Sequence, residues 1–218
     1  MLKTETANSK VTEPRVEDFY PAIEALRRGD VIVFPTETLY GLGADALNEA
    51  AVDRVFCLKG RDANNPISVL VANPAMLSSL VEEIPPAAQR LMNRYWPGPL
   101  TLVLPGRKGS PEPLRNPAGG IAVRISSQPV ATLLVKALGR PVTATSANLS
   151  GKEPARTLEE ARTYFCDQIR VYVDGGTLTS RTGSTVLEVM DDRISIIREG
   201  DISTLELQAF LGEDCVSK

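Results

Sequence analysis

VIVFPTETLYGLGADALNEAAVDRVFCLKG, residues 31–60, decides how the rest of the chain is read. Its first four residues are β-branched or aromatic and stop at Pro35, the pattern of a buried strand. Asn48 stands where a helix N-cap belongs, and Val52, Val55 and Phe56 give the segment after it one apolar face, closed by Gly60. Strand followed by helix sets the grammar of an α/β protein. Between them lie Thr36, Glu37, Thr38 and Tyr40, followed by Gly41 and Gly43. Strand, polar cluster and glycines is how many nucleotide sites begin, yet the usual glycine-rich phosphate signature is absent. The two glycines are expected to let the chain turn tightly.

The same grammar continues outward. EDFYPAIEALRRG reads as a helix ending at Gly29, with Phe19, Ile23 and Leu26 on one face. ISVLVA (67–72), TLVLP and IAVRI are strands, PVTAT a short one, and VYVDGG another. Pro85-Pro86 opens a helix carrying Leu91, Met92 and Tyr95, QPVATLLVKALG is an amphipathic helix ending at Gly139, and TLEEARTYF is a third. STVLEVM and RISIIR, joined by Asp191-Asp192, have the pattern of a β-hairpin, and ISTLELQAFLG closes the chain as a short helix. Helices alternating with strands predict a three-layer α/β fold, α+β by strict count, whose late hairpin makes the twisted sheet mixed. We expect a flexible N-terminal segment over 1–14, one catalytic domain over 15–205, and a helix end and tail over 206–218.

Composition excludes much chemistry. The 218 residues contain no histidine, so there is no imidazole base, no Ser-His or Cys-His pair and no His-ligated metal. Cys57, Cys166 and Cys215 are odd in number and far apart, which suggests neither a disulfide framework nor a zinc site and fits a cytoplasmic setting. No apolar run approaches the ~18–20 residues that cross a bilayer, and MLKTETANSK does not read as a secretory signal. Net charge is −3, against a general nucleic-acid coat. Within it, Arg90, Arg94, Arg107, Lys108, Arg115 and Arg124 face a single acid, Glu112, between residues 86 and 128. That run is either a solvated face or part of an anion-binding hollow. PGRKGSPEPLRNPAGG (105–120) is half Pro and Gly; its Arg107, Lys108 and Arg115 suit a lid over an anion, or a tolerated surface loop.

Polar clusters fall beside the expected strand ends, where ligands of α/β sheets bind. Lys59-Gly60-Arg61 suits a polyphosphate, with Arg as a fork and Lys as a point charge, but also suits a solvated helix end. Arg124, within a strand and on the face of Ala122, needs either a protein carboxylate or an anionic ligand. TATSANLSG (143–151) is a donor-rich turn or a capping turn, and GST (183–185) with Arg198 forms a weaker pair.

Taken in order, PTETLYGLGADA, KGRDANNPISVLV, WPGPLTLVLP, IAVRI, TATSANLSG, GSTVLEV and IIREG resemble the YrdC-like threonylcarbamoyl-AMP synthase family, from about Val16 to Asp201. The resemblance implies a YrdC-like fold around a basic concave site. It also implies synthesis of threonylcarbamoyl-adenylate and pyrophosphate from L-threonine, bicarbonate (or CO2) and ATP. A threonylcarbamoyl transferase complex would then modify tRNA, with tRNA or double-stranded RNA as a further contact and no membrane association. It implies Thr36, Arg124 and Ser184 at the threonine, and Lys59, Arg61, Ser146, Asn148 and Arg198 at ATP. Catalysis would rest on Lys59, Arg61 and Arg124. Mg²⁺ would arrive on ATP, with no metal site of the protein's own. The chemistry is consistent: an amine adds to CO2 without a strong base, and the carbamate attacks an anionic phosphate among cations. Asp62, where many members have proline, adds a negative charge beside the phosphate cluster. The length matches the single-domain form. A weakly active paralogue, or a non-catalytic module binding structured RNA, are the other readings.

Overall fold

The run around Val33 forms a hairpin rather than a lone strand. In the computed structural model, which describes residues 14–61, 67–190, 193–212 and 216–217, β1 (Ile32–Pro35) pairs antiparallel with β2 (Tyr40–Gly43). YGLG, expected to be a tight turn, is therefore a strand, and neither Gly41 nor Gly43 has a positive φ. Their smallness makes room for a ring. A Cβ on Gly43 would sit 2.8 Å from Phe34 Cε1, and one on Gly41 at 3.4 Å.

β1 is the layer between two apolar cores. Ile32 and Phe34 pack with Ile23 and Leu26 of α1 (Tyr20–Arg27) and with Leu134 and Leu138 of α5 (Pro129–Leu138). Val31 and Val33 face the larger core, with Val52 and Phe56 of α2 (Glu49–Lys59) and Leu91 of α4 (Pro86–Tyr95). Period-two alternation in the strand thus meets helical stripes on both sides, each buried Leu, Ile or Phe contributing about 1.5–3 kcal/mol. The caps agree with the sequence: Asn48 Oδ1 accepts from Ala51 N at 3.3 Å, and Gly60 closes α2 in the left-handed region.

The structure has two mixed sheets where the sequence suggested one. The smaller has the order β7-β2-β1-β8 and the larger β11-β10-β9-β4-β5-β3-β6. Its members are β3 (Val69–Leu70), β4 (Leu100–Pro105), β5 (Gly120–Arg124), β6 (Val142–Thr143), β9 (Thr185–Met190), β10 (Arg193–Arg198) and β11 (Val216–Ser217). The smaller sheet adds β7 (Thr145–Ser146) and β8 (Val171–Tyr172). β9 and β10 form the expected antiparallel hairpin; its Asp191-Asp192 turn, like Asp62 and residues 1–13, lies outside the described residues.

One extended segment joins the sheets. β6 pairs with β3, and after Ala144 the same chain becomes β7 and pairs with β2. Ser68 grips the junction, since Ala144 N donates to Ser68 O and Ser68 Oγ donates back to Ala144 O, both at 2.8 Å. The segments joined there carry the site. Among the described residues, no helix is long and apolar enough to cross a membrane.

Candidate active site

A hollow of about 480 Å³ opens between the two sheets. The smaller sheet supplies Tyr40, Gly41 and Ser146 with Thr36 from its β1–β2 turn, and the larger Thr101, Ala122, Arg124 and Arg198 with Ser184 just before β9. Alternation decides which side chains reach it: in β5, Ile121 and Val123 enter the core while Ala122 and Arg124 line the hollow. Six of the eight residues expected at the site meet here: Thr36, Arg61, Arg124, Ser146, Ser184 and Arg198.

Thr36 sits at the turn between β1 and β2. Its Oγ1 donates to Leu39 O at 2.7 Å, accepts from the backbone N–H of Thr38 and Leu39 at 3.2 Å each, and shares a 3.0 Å bond with Thr38 Oγ1. The hydroxyl fixes its own turn and presents one edge to the hollow. Tyr40 pegs β2 to a remote loop, donating to Gly176 O at 2.8 Å while accepting from Gly175 N at 2.8 Å.

Three guanidinium groups, those of Arg61, Arg124 and Arg198, line the same hollow. Arg124 is only 3% exposed, and burial pulls its pKa down while Glu37 and Asp201 push it up. Arg198 is likewise lowered, by burial first and then by the charges of Arg124 and Arg61. Arg61 is lowered by burial. The three therefore share one field, a local positive potential in an acidic chain. Arg198 Nε and Nη2 both donate to Ser184 O, at 3.3 and 2.7 Å, and Ser184 Oγ shares a 2.9 Å bond with Thr101 Oγ1. Behind Ser184, Asp201 Oδ1 accepts from Ser180 Oγ and Thr182 Oγ1 at 2.7 Å each, and its N–H donates to Gly183 O. The backbones touch so closely that a Cβ on Gly200 would lie 2.4 Å from Gly183 O.

Lys59, expected at the phosphates, and Asn148, expected at the nucleotide, do not line the hollow. Lys59 ends α2, is 2% exposed, and its Nζ donates to Ser146 O, Asn148 O and Asn148 Oδ1. Asn148 Nδ2 donates to Leu149 O and Lys152 O, and Ser146 Oγ donates to Asn148 Oδ1 at 2.6 Å. Three oxygen acceptors match the three donors of an ammonium, so these two side chains form a buried staple that holds Ser146 at the wall. Burial and then the Arg61 charge bring the Lys59 pKa down to about 7.

The basic run proves to be mostly surface, and only Arg124 of its six cations reaches the hollow. The 105–120 loop is tied down rather than poised as a lid. Leu114 is buried, Arg107 donates to Ser78 O, Arg115 donates to Arg107 O, and Gly106 N donates to Gly119 O. Within that loop, Asn116 alone lines the hollow. Thr38, part of the polar cluster read from the sequence, lines the hollow as well, whereas sequence reasoning passed over Asn116, Thr101 and Ser68. Thr101 was findable, because it alternates with Leu100 and Leu102 in a strand whose other polar positions are few.

A hydroxyl-lined hollow with three guanidinium groups, set between mixed sheets, gives an α/β protein whose candidate site carries a local positive potential. Residues 24–200 match the Sua5/YciO/YrdC family model, described as telomere recombination, and the chain belongs to that family. It is 38% identical to a threonylcarbamoyl-AMP synthase of Pyrococcus abyssi over 91% of its own length, spanning 59% of that relative. A synthase so named from Thiobacillus denitrificans is 38% identical over 82% of this chain and 95% of its own. The crystal structure of P. abyssi Sua5 complexed with L-threonine superposes with a TM-score of 0.89 at 36% identity, covering 94% of this chain and 60% of that one.

Proposed function

We propose that this chain is an L-threonylcarbamoyladenylate synthase, taking L-threonine, bicarbonate or CO2, and ATP to threonylcarbamoyl-AMP and pyrophosphate. The observation carrying the reading is the convergence of Arg61, Arg124 and Arg198 with Thr36, Ser146 and Ser184 on one hollow. Arg124, with Thr36 and Ser184, takes the threonine carboxylate and hydroxyl. Arg61, Arg198 and Ser146 take the triphosphate, while Lys59 and Asn148 hold Ser146 in place.

The threonine amine attacks CO2, losing a proton to solvent and giving a carbamate. A carbamate oxygen then attacks the α-phosphorus of ATP, and the bond to the β-phosphate oxygen breaks to release pyrophosphate. Both reactants are anions, so the three guanidinium groups offset their repulsion and the fixed walls align them. Among the described residues no group of three or more Cys, Asp or Glu could hold a metal ion, and Mg²⁺ enters here as part of the ATP complex. The catalytic unit is taken as residues 15–205, acting in the cytoplasm. The adenylate, a mixed anhydride, is passed to a transferase complex that acylates tRNA.

The test is pyrophosphate release with threonine, bicarbonate and ATP each omitted in turn, with mass detection of the adenylate. Release unchanged without threonine overturns the reading.

A further inference from the structure

Arg124 has one carboxylate within ion-pair distance among the described residues, and it comes from the motif that opened the sequence. Glu37 Oε1 lies 3.1 Å from Arg124 Nη1. The approach is an ion pair without hydrogen-bond angle, so Glu37 Oε1 and Arg124 Nε are both buried with no hydrogen bond. The second Glu37 oxygen, Oε2, accepts from Ser126 Oγ. Ser126 is itself fixed: its Oγ accepts from Gln128 N at 3.1 Å, and its carbonyl accepts from Thr132 Oγ1 at 2.9 Å. Arg124 Nη1 also reaches Thr38 Oγ1 at 3.5 Å.

These contacts are one-sided. Glu37 and Thr38 both take Nη1, and no hydrogen bond from a described residue takes Nε or Nη2. A guanidinium meets a carboxylate best with two parallel bonds from one edge, which requires its plane to be fixed. Glu37, whose side chain is 14% exposed, does not line the hollow, whereas Arg124 does. We propose that Glu37 is a positioning residue: from outside the lining of the hollow it grips Nη1 and fixes the plane of the Arg124 guanidinium for a substrate carboxylate. Ser126 locks the plane of the grip by tying Glu37 to the start of α5.

Two effects compete when Glu37 is neutralised. Removing its charge takes away a repulsion felt by an incoming carboxylate, which favours binding. It also frees a buried guanidinium to rotate toward Asp201, the other carboxylate in its field, and a two-bond contact needs the edge at a fixed angle. Orientation wins, because a misaligned fork loses both bonds.

The inference rests on Arg124 being the threonine carboxylate group, and the experiment separates the two. Affinities for L-threonine and for ATP are measured by calorimetry on the full chain, together with KM and kcat. Glu37→Gln weakens threonine about tenfold or more, the scale of losing one partner of a buried charge pair, with ATP affinity near the parent value and a melting midpoint lowered by the buried charge left unpaired. Ser126→Ala, which keeps both charges, moves threonine in the same direction by about threefold, roughly one neutral hydrogen bond. Threonine affinity unchanged or tightened in both variants overturns the positioning role. Arg124→Lys is the control: if it binds threonine normally, the reading of Arg124 itself fails, whatever Glu37 does.

Discussion

Lys59 and Asn148 stand 89 residues apart in the chain, and Lys59 Nζ donates to both oxygens of Asn148, at 3.0 Å to O and 3.2 Å to Oδ1. This contact fastens the end of α2 to the segment just after β7, the strand that carries Ser146. It places Lys59, expected at the phosphates, and Asn148, expected at the nucleotide, in contact with each other and with Ser146.

Lys59→Met tests the staple. It takes the buried donor from Asn148 O and leaves Ser146 O with only the Asn148 N–H, which costs roughly 2–4 kcal/mol of folding stability. Arg61→Ala, on the wall itself, lowers adenylate synthesis with a smaller loss of stability than Lys59→Met. Urea unfolding beside the pyrophosphate assay distinguishes them, and equal stability in the two variants would remove the staple from the account.

The same lysine sets a pH dependence. Its pKa of about 7 lies below the ordinary 10.5, so between those values the unfolded chain binds more protons than the folded one. Stability from this group is therefore complete above the unfolded value and is lost as pH falls through about 7. The urea midpoint of the parent is expected to rise from pH 7 toward 10 relative to Lys59→Met. Parallel curves for the two proteins would contradict this.

Arg198→Lys asks whether charge alone suffices. The guanidinium bonds Ser184 O through two nitrogens while contributing to the shared field, and an ammonium can keep the charge but not the fork. Synthesis is expected to fall about tenfold or more with a raised ATP KM, one lost charge-assisted bond on the usual scale. Parent-like kinetics would reduce Arg198 to a point charge.

Gly43→Ala tests the reassigned strand. The added methyl meets the Phe34 ring at 2.8 Å, and overpacking of this kind costs about 1–3 kcal/mol. Gly41→Ala, at 3.4 Å, is milder. If both proved equally tolerated, the ring would not be what excludes a side chain there.

Much of the frame was legible because it is local. The Asn48 cap, the Gly60 and Gly139 stops, and the period of VIVF and IAVRI each write their structure within a few residues. Arg124 was legible as well, since an arginine in a covered strand demands a partner. What stayed hidden depends on contacts distant in sequence. YGLG is a strand because Phe34 needs the space above it, and Lys59 turns inward because the oxygens of residues 146 and 148 meet it there. The division of PVTATS between two sheets has no local sign, as every residue in it is compatible with either.

That division has a consequence for how the molecule fails. The hollow is a seam, with Thr36 and Ser146 stitched to one sheet and Arg124 and Ser184 to the other. A site spread across a seam has no intact half. Opening of either sheet dismantles it completely, so catalytic competence should vanish with the less durable of the two sheets while the other still stands.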